Sequence, residues 1–168
     1  MTSTDTIKDM PIAVGSPAPD FTLKTMTPDG LKDVTLSDHF GSKNTVLLFV
    51  PGAFTGVCTQ QFCDMTGGLA EYEGMDAAVY GISVDSPFAQ EGWAKAKGIG
   101  IPLLSDYART VIKAYDVELP DFAGLGAAAA KRAVVVLDKD GVVRYVQVTP
   151  TPGDLPNMDE VKSALSAL

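Results

Sequence analysis

The two cysteines of this 168-residue chain, Cys58 and Cys63, lie in one short window. The window follows an apolar run at 46–50 that ends in a Pro-Gly turn. Such a run between turn residues predicts a strand buried on both faces. Residues 55–56 then predict a turn into a helix that holds Cys58 in its first turn. Backbone N–H groups and the positive end of the helix dipole favour a thiolate at that position, so Cys58 is predicted to be a nucleophile.

Other roles for the two cysteines are less consistent with the sequence. Two thiolates would supply half of a tetrahedral zinc shell, and the single histidine, His39, lies in a different segment. A Cys–His dyad is disfavoured because His39 precedes the buried strand, in a region expected to be loop or surface. Buried cysteines that act as small apolar residues are the ordinary alternative. It fits Cys63 passably and Cys58 poorly, because a helix start beside such a turn is not a core position.

The spacing of the two thiols restricts how they could react with each other. Residues five apart on an α-helix differ by about 140° around the axis, and their Cα atoms are roughly 8–9 Å apart. A disulfide requires Cα atoms within about 7 Å. Cys58 and Cys63 can therefore join only if the first turns of the helix unwind. Cys63 also lies off the predicted apolar stripe of that helix, so a role as resolving thiol stays open.

A reactive thiolate at Cys58 also needs hydroxyl and cationic neighbours. Thr55 can direct its hydroxyl at the thiolate or at a substrate oxygen, or it can cap the helix. The candidate cations include Arg109, Arg132 and Arg144. Arg132 directly precedes a predicted buried strand, so it is the arginine best placed to be rigid and partly desolvated. Sequence spacing alone does not exclude Arg109.

The remaining chain predicts an α/β fold with a central mixed sheet, formed by one domain over residues 1–168. Its strands are predicted as an N-terminal hairpin over 21–36, buried strands at 45–50 and 77–84, a short extended piece at 102–105, and a hairpin at 132–137 and 142–148. Its helices are predicted from about residue 58 and at 88–97, 107–115 and 158–168, the last capped by Asn157. Residues 1–12 are predicted to be a loose leader, and 118–130 an irregular, mobile surface segment.

Composition narrows the class of protein. A chain with 46% hydrophobic residues can bury a substantial core, and a net charge of −8 argues against nucleic acid or an anionic membrane as partner. No apolar run is long enough to span a membrane, and the N-terminus lacks the order of a secretory signal. Two cysteines are too few for a disulfide scaffold. The expected location is the cytosol, and neither a metal nor another cofactor is predicted.

The segment Pro51 to Cys58, Pro-Gly-Ala-Phe-Thr-Gly-Val-Cys, resembles the PxxxTxxC active-site motif of the peroxiredoxins. The resemblance extends over most of the chain, in the family order, through fragments at 15–21, 83–87 with Trp93, 102–106, 131–134 and 138–141. It implies a thioredoxin-like fold and thiol-dependent reduction of hydrogen peroxide and organic hydroperoxides.

The resemblance also implies a role for each matching residue. Cys58 would attack the peroxide O–O bond and become a sulfenic acid that thiols reduce. Thr55 would hydrogen-bond the peroxide, and Pro51 would shield the pocket. Arg132 would stabilise the thiolate and the transition state, and Gln61 would hold Arg132 in place. The implied reductant is thioredoxin, glutaredoxin or a small thiol, and the implied assembly is a homodimer.

The sequence leaves the route of recycling open. Pro-Gly-Ala-Phe-Thr is similar to a branch whose resolving cysteine, when present, lies far along the chain, whereas Cys-x4-Cys is similar to the bacterioferritin-comigratory branch. A two-cysteine cycle through Cys63 and a one-cysteine cycle with an external thiol both fit. Gly67 and Gly68 favour the former, because they weaken the helix by about 1–2 kcal/mol against alanine. A disulfide reductase, which usually carries Cys-x-x-Cys, and a non-enzymatic, chaperone-like protein that binds through 118–130 are the rival functions.

Overall fold

A computed structural model describes residues 12–168 of the chain. Its strands are β1 (Thr22–Thr27), β2 (Gly30–Thr35), β3 (Asn44–Phe49), β4 (Ala77–Ser83), β5 (Leu103–Ser105), β6 (Glu118–Leu119), β7 (Ala129–Ala130), β8 (Ala133–Leu137) and β9 (Val143–Val148). Its helices are α1 (Gly56–Glu73), α2 (Pro87–Lys97), α3 (Thr110–Ala114) and α4 (Met158–Ser166), and a 3-10 turn occupies Leu36–His39. The predicted leader lies outside the described residues except for Ile12.

Seven of these strands form the predicted mixed sheet, in the order β2-β1-β5-β4-β3-β8-β9. The three central strands β3, β4 and β5 are parallel, and β1, β2, β8 and β9 pair antiparallel at the two sides. Both predicted hairpins, β1–β2 and β8–β9, are confirmed. The parallel pairs are joined by α1 and α2, as crossover connections between parallel strands require.

The central strand β3 is buried on both faces, as its unbroken apolar run predicts. Successive side chains point to opposite faces of a strand, so Val46 and Leu48 join one core cluster, and Leu47 and Phe49 join the other. Cys58 belongs to the first of these clusters, which packs beneath α1 and α4. The expectation that Cys58 is not at a core position is therefore wrong, because the residue is buried although it lies at a helix start. The apolar stripe of α1 is formed by residues at helical spacing, of which Phe62, Met65 and Tyr72 are buried and Leu69 is half-buried.

Helix boundaries agree with the predictions at α1, α2 and α4. The Asn157 side chain caps α4 by accepting from the amides of Asp159 and Glu160. The helix predicted over 107–115 is too long, because α3 begins only at Thr110. The buried Asp106 carboxylate accepts from the amides of residues 110, 111 and 112 and so defines the first turn of α3.

The segment 118–130 is not wholly irregular, because β6 and β7 form a two-stranded antiparallel ladder at its ends. Between the strands, the amide of Gly126 donates to the Asp121 carboxylate at 2.7 Å. Within residues 12–168, no helix is both long enough and apolar enough to cross a membrane.

Candidate active site

Cys58 is the third residue of α1, and its side chain is only 1% exposed. Thr55 occupies the N-cap position with extended backbone, so the helix begins at Gly56, two residues before Cys58. The amides of the first helical turn lack intrahelical acceptors and carry partial positive charge. The structure therefore confirms the predicted placement of Cys58 at the electropositive start of a helix.

Arg132 is the cation that reaches the Cys58 thiol. Its Nη2 donates to Sγ at 3.1 Å, and the arginine itself is only 2% exposed. Strand pairing brings the two residues together, because β3 and β8 are antiparallel with Phe49 opposite Ala133. Arg132 thus lies beside the end of β3, where the chain turns toward α1. A buried guanidinium at this distance stabilises negative charge on the sulfur.

The Arg132 guanidinium is held by three further hydrogen bonds. Nη1 donates to Gln61 Oε1 at 2.7 Å, a contact that agrees with the role predicted for Gln61. Nε and Nη2 donate to the backbone carbonyl of Pro152 at 3.1 and 2.9 Å. Sequence reasoning missed Pro152, because a backbone carbonyl gives no signal in residue type. The sequence shows only that this segment carries prolines at 150, 152 and 156, which restrict its backbone.

Thr55 makes a contact that the sequence did not predict. Its hydroxyl donates to the carbonyl of Gly52 at 2.9 Å, and it forms no capping hydrogen bond with α1. The capping alternative for Thr55 is therefore wrong for the side chain. Because the hydroxyl proton is engaged at Gly52, the Oγ1 lone pairs can accept a hydrogen bond from a substrate O–H. Pro51 is buried at the start of the same loop.

Cys63 lies on the same unbroken helix, half-buried, and its thiol donates to the carbonyl of Lys97 at 3.3 Å. Neither cysteine is disulfide-bonded. The first turn of α1 is also held from outside, since the Trp93 indole donates to Thr59 Oγ1 at 3.0 Å. The geometry agrees with the sequence argument that Cys58 can reach Cys63 only after part of α1 unwinds.

Several other candidates lie away from Cys58. His39 hydrogen-bonds to the Tyr80 hydroxyl, and Tyr80 belongs to the core cluster on the opposite face of the sheet. Arg109 donates to the carbonyl of Ala128 at 2.8 Å, and Arg144 pairs with the carboxylate of Asp138. In the part of the chain that the structure covers, no group of three His, Cys, Asp or Glu side chains is arranged to hold a metal ion.

Known proteins resemble this chain in sequence and in fold. Residues 14–146 match the model of the AhpC/TSA family. Alkyl hydroperoxide reductase E of Mycobacterium tuberculosis is 36% identical over 157 residues, which cover 92% of this chain and 97% of the relative.

Two solved structures extend the comparison to the fold. Reduced 2-Cys peroxiredoxin of Plasmodium vivax has a TM-score of 0.82 at 29% identity, covering 94% of this chain and 82% of that one. Reduced Prx3 of Vibrio vulnificus in complex with H2O2 has a TM-score of 0.81 at 26% identity, covering 92% and 99%.

Proposed function

Because this chain belongs to the AhpC/TSA family, it is a peroxiredoxin, a thiol-dependent peroxidase, and we propose that Cys58 is the residue that attacks the peroxide. The observation that carries this proposal is the hydrogen bond of 3.1 Å from Arg132 Nη2 to Cys58 Sγ, in a buried site at a helix start. Two sources of positive potential therefore converge on the sulfur, a guanidinium and the helix amides, and burial of the site reduces the screening of both by water.

The proposed reaction is displacement at the O–O bond. The Cys58 thiolate forms an S–O bond with one peroxide oxygen while the O–O bond breaks, giving a sulfenic acid. The other oxygen leaves with the electron pair of the O–O bond and takes up a proton, as water or an alcohol. Negative charge moves from sulfur to the leaving oxygen, where donors of Arg132 are placed to stabilise it. Thr55 Oγ1 accepts from the peroxide O–H and so orients the substrate. The proposed substrates are hydrogen peroxide and organic hydroperoxides.

For recycling, we propose that Cys63 resolves the sulfenic acid. Its thiol attacks the Cys58 sulfur, a disulfide forms and water leaves, after which a thiol reductant restores both cysteines. The shared helix and the weak thiol–carbonyl contact of Cys63 with Lys97 support this route. The alternative is a one-cysteine cycle, in which an external thiol reduces Cys58 directly. Since Cys58 is only 1% exposed, that route also requires the site to open.

Intact mass after one equivalent of hydrogen peroxide tests both parts of the proposal. We expect the protein to lose two hydrogen atoms, as an internal disulfide requires. Cys63→Ser retains a donor for the Lys97 carbonyl and should instead gain one oxygen. Cys58→Ser should show neither change. Oxidation that persists in Cys58→Ser would contradict the assignment of Cys58 as the reacting residue. A gain of one oxygen in the protein without substitutions would favour the one-cysteine cycle.

Further proposals concern the reductant, the cellular location, the domain organisation and the assembly of this protein. Thioredoxin, glutaredoxin or a small thiol is the proposed electron donor. A cytosolic site of action is also proposed, because two cysteines are too few for the disulfide scaffold that small secreted domains carry. One domain over 1–168 is proposed, and the two core clusters that share one sheet within residues 12–168 support it. The homodimer stays a prediction, and a disulfide reductase is disfavoured because the spacing is not Cys-x-x-Cys.

A further inference from the structure

We propose that Asp85 is a positioning residue for the peroxide reaction, because its carboxylate holds the loop that carries Thr55. This loop, residues 51–55, is called the cysteine loop below. The inference rests on the proposed function of Cys58. It adds to the site a residue that follows β4, whereas the cysteine loop follows β3. Asp85 follows β4, the parallel neighbour of β3, so the two strand ends lie side by side.

Asp85 contacts the cysteine loop through a charge-assisted hydrogen bond. Its Oδ2 accepts from the amide of Ala53 at 2.8 Å. The same oxygen accepts from the Ser83 hydroxyl at 2.7 Å. One carboxylate oxygen therefore joins the cysteine loop to the end of β4.

The carboxylate is itself supported by buried polar groups. The hydroxyl of Ser83 accepts from Gln90 Nε2 at 2.9 Å, and both residues are only 2% exposed. The same Gln90 nitrogen donates to the carbonyl of Leu104. The backbone carbonyl of Asp85 accepts from the Ser105 hydroxyl at 2.6 Å. These contacts fix Asp85 against β4, β5 and α2, so it forms a rigid anchor.

The cysteine loop needs such an anchor because its backbone is strained. Phe54 has φ +63°, in the left-handed region that bulky residues rarely adopt. Its ring is 57% exposed, so burial does not hold it there. The loop conformation is instead held by the bond from Ala53 to Asp85 and the bond from Thr55 Oγ1 to Gly52.

Loss of the anchor should affect the substrate more than the thiolate. Relaxation of Phe54 would turn Thr55 and remove the acceptor for the peroxide O–H. Cys58 and Arg132 are held separately, by α1 and by the contacts of Arg132 with Gln61. The reaction with peroxide, which needs an oriented O–O bond, is therefore expected to slow, whereas alkylation of Cys58 by a small electrophile is not.

The test compares these two reactions in Asp85→Ala, with Cys58 modification followed by peptide mass spectrometry. We expect oxidation by hydrogen peroxide to slow by roughly ten- to a hundredfold, with alkylation by iodoacetamide unchanged. Asp85→Asn retains an oxygen that can accept from Ala53 and should recover most of the peroxide rate. Ser83→Ala, which keeps Asp85 but removes one of its supports, should give an intermediate loss and provides the test if Asp85→Ala does not fold.

Asp138→Ala is the matched control. Asp138 accepts from the backbone amides of Asp140 and Val142 in the β8–β9 turn, so its loss removes similar bonds without touching the cysteine loop. Neither rate should change in this variant. An Asp85→Ala protein that oxidises at the normal rate, or that loses both reactions equally, would overturn the inference. Failure of the proposed function is distinguishable, because the unmodified protein would then show no oxidation of Cys58.

Discussion

At the scale of residues, the chemistry of Cys58 depends on the shape of the arginine side chain as well as its charge. One planar guanidinium serves the Cys58 sulfur, the Gln61 amide oxygen and the Pro152 carbonyl at the same time. A fork of donors with fixed directions can do this, whereas an ammonium group on a flexible stem cannot. The position of positive charge relative to the sulfur is thereby fixed before the peroxide arrives.

Arg132→Lys keeps the charge and should nevertheless lose most of the activity. We expect the second-order rate of Cys58 oxidation to fall by roughly 10²–10³-fold, as when one preorganised donor is removed from an active site. Stopped-flow mixing with hydrogen peroxide measures this rate. Arg144→Lys, at an exposed ion pair with Asp138, is the control and should oxidise normally. A normal rate in Arg132→Lys would show that charge alone is sufficient.

At the scale of elements, α1 must be both a rigid platform and a segment that opens. Its first turn holds Cys58 in place through the Thr59–Trp93 bond, and its middle carries Gly67 and Gly68. Glycine in a helix interior loses more backbone freedom on folding than alanine does, which lowers helix stability. The proposed disulfide requires this helix to unwind, so its stability should govern the rate at which Cys63 resolves.

Stabilising α1 should therefore slow disulfide formation. A Cβ at either Gly67 or Gly68 would meet no atom within 4 Å, so alanine fits at both. Each change should stabilise the protein by up to about 1 kcal/mol and slow conversion of the sulfenic acid to the disulfide, measured by quenched-flow mass spectrometry. Gly92→Ala in α2 has equally open surroundings and should stabilise without slowing the reaction. Equal rates in all variants would show that α1 does not limit resolution.

At the scale of the whole molecule, the N-terminal segment is fastened to the core by a buried tyrosine. Tyr115 packs against Phe21 and Phe49, and its hydroxyl donates to the carbonyl of Pro19 at 2.6 Å. Burial raises the pKa of Tyr115 well above its ordinary value, and the charge of Asp20 adds to the rise. The folded protein therefore keeps this phenol neutral where the unfolded chain would ionise it.

This difference predicts how stability depends on alkaline pH. The pKa of Tyr115 is higher in the folded protein than in the unfolded chain. Its contribution to the free energy of unfolding is therefore complete below about pH 10, the ordinary tyrosine value, and declines as the pH rises further. Tyr115→Phe should lose about 1 kcal/mol at neutral pH. The free energy of unfolding of this variant should then decline less steeply above about pH 10 than that of the unsubstituted protein. Urea titrations across this range measure both effects.

Other tyrosines set the background for that measurement. Burial also raises the pKa values of Tyr72 and Tyr80, so some alkaline loss should remain in the variant. If the free energies of unfolding of Tyr115→Phe and of the unsubstituted protein fall in parallel above about pH 10, Tyr115 does not cause the alkaline loss of stability.

The local elements of this fold were largely predictable because their signals are short-range. An apolar run predicted β3, turn residues predicted both hairpins, and the Thr-Gly turn predicted a helix that starts near Cys58. The resemblance to the peroxiredoxins then implied roles for Thr55, within the motif, and for Arg132, in the matching fragment at 131–134. The error at α3 arose because the capping by Asp106 depends on a side chain that folds back onto the following amides.

The sequence by itself determined which cysteine lies at a helix start and where that helix begins, because both follow from residue type and spacing. Only the tertiary structure decided what surrounds that residue. Pairing of β3 with β8 brings Arg132 to the sulfur, and the alignment of β3 with β4 brings Asp85 to the cysteine loop. Arg132 binds the backbone carbonyl of Pro152, and Asp85 binds the backbone amide of Ala53. Every residue has such a carbonyl, and every residue except proline has such an amide, so only the fold decides which of these groups meet.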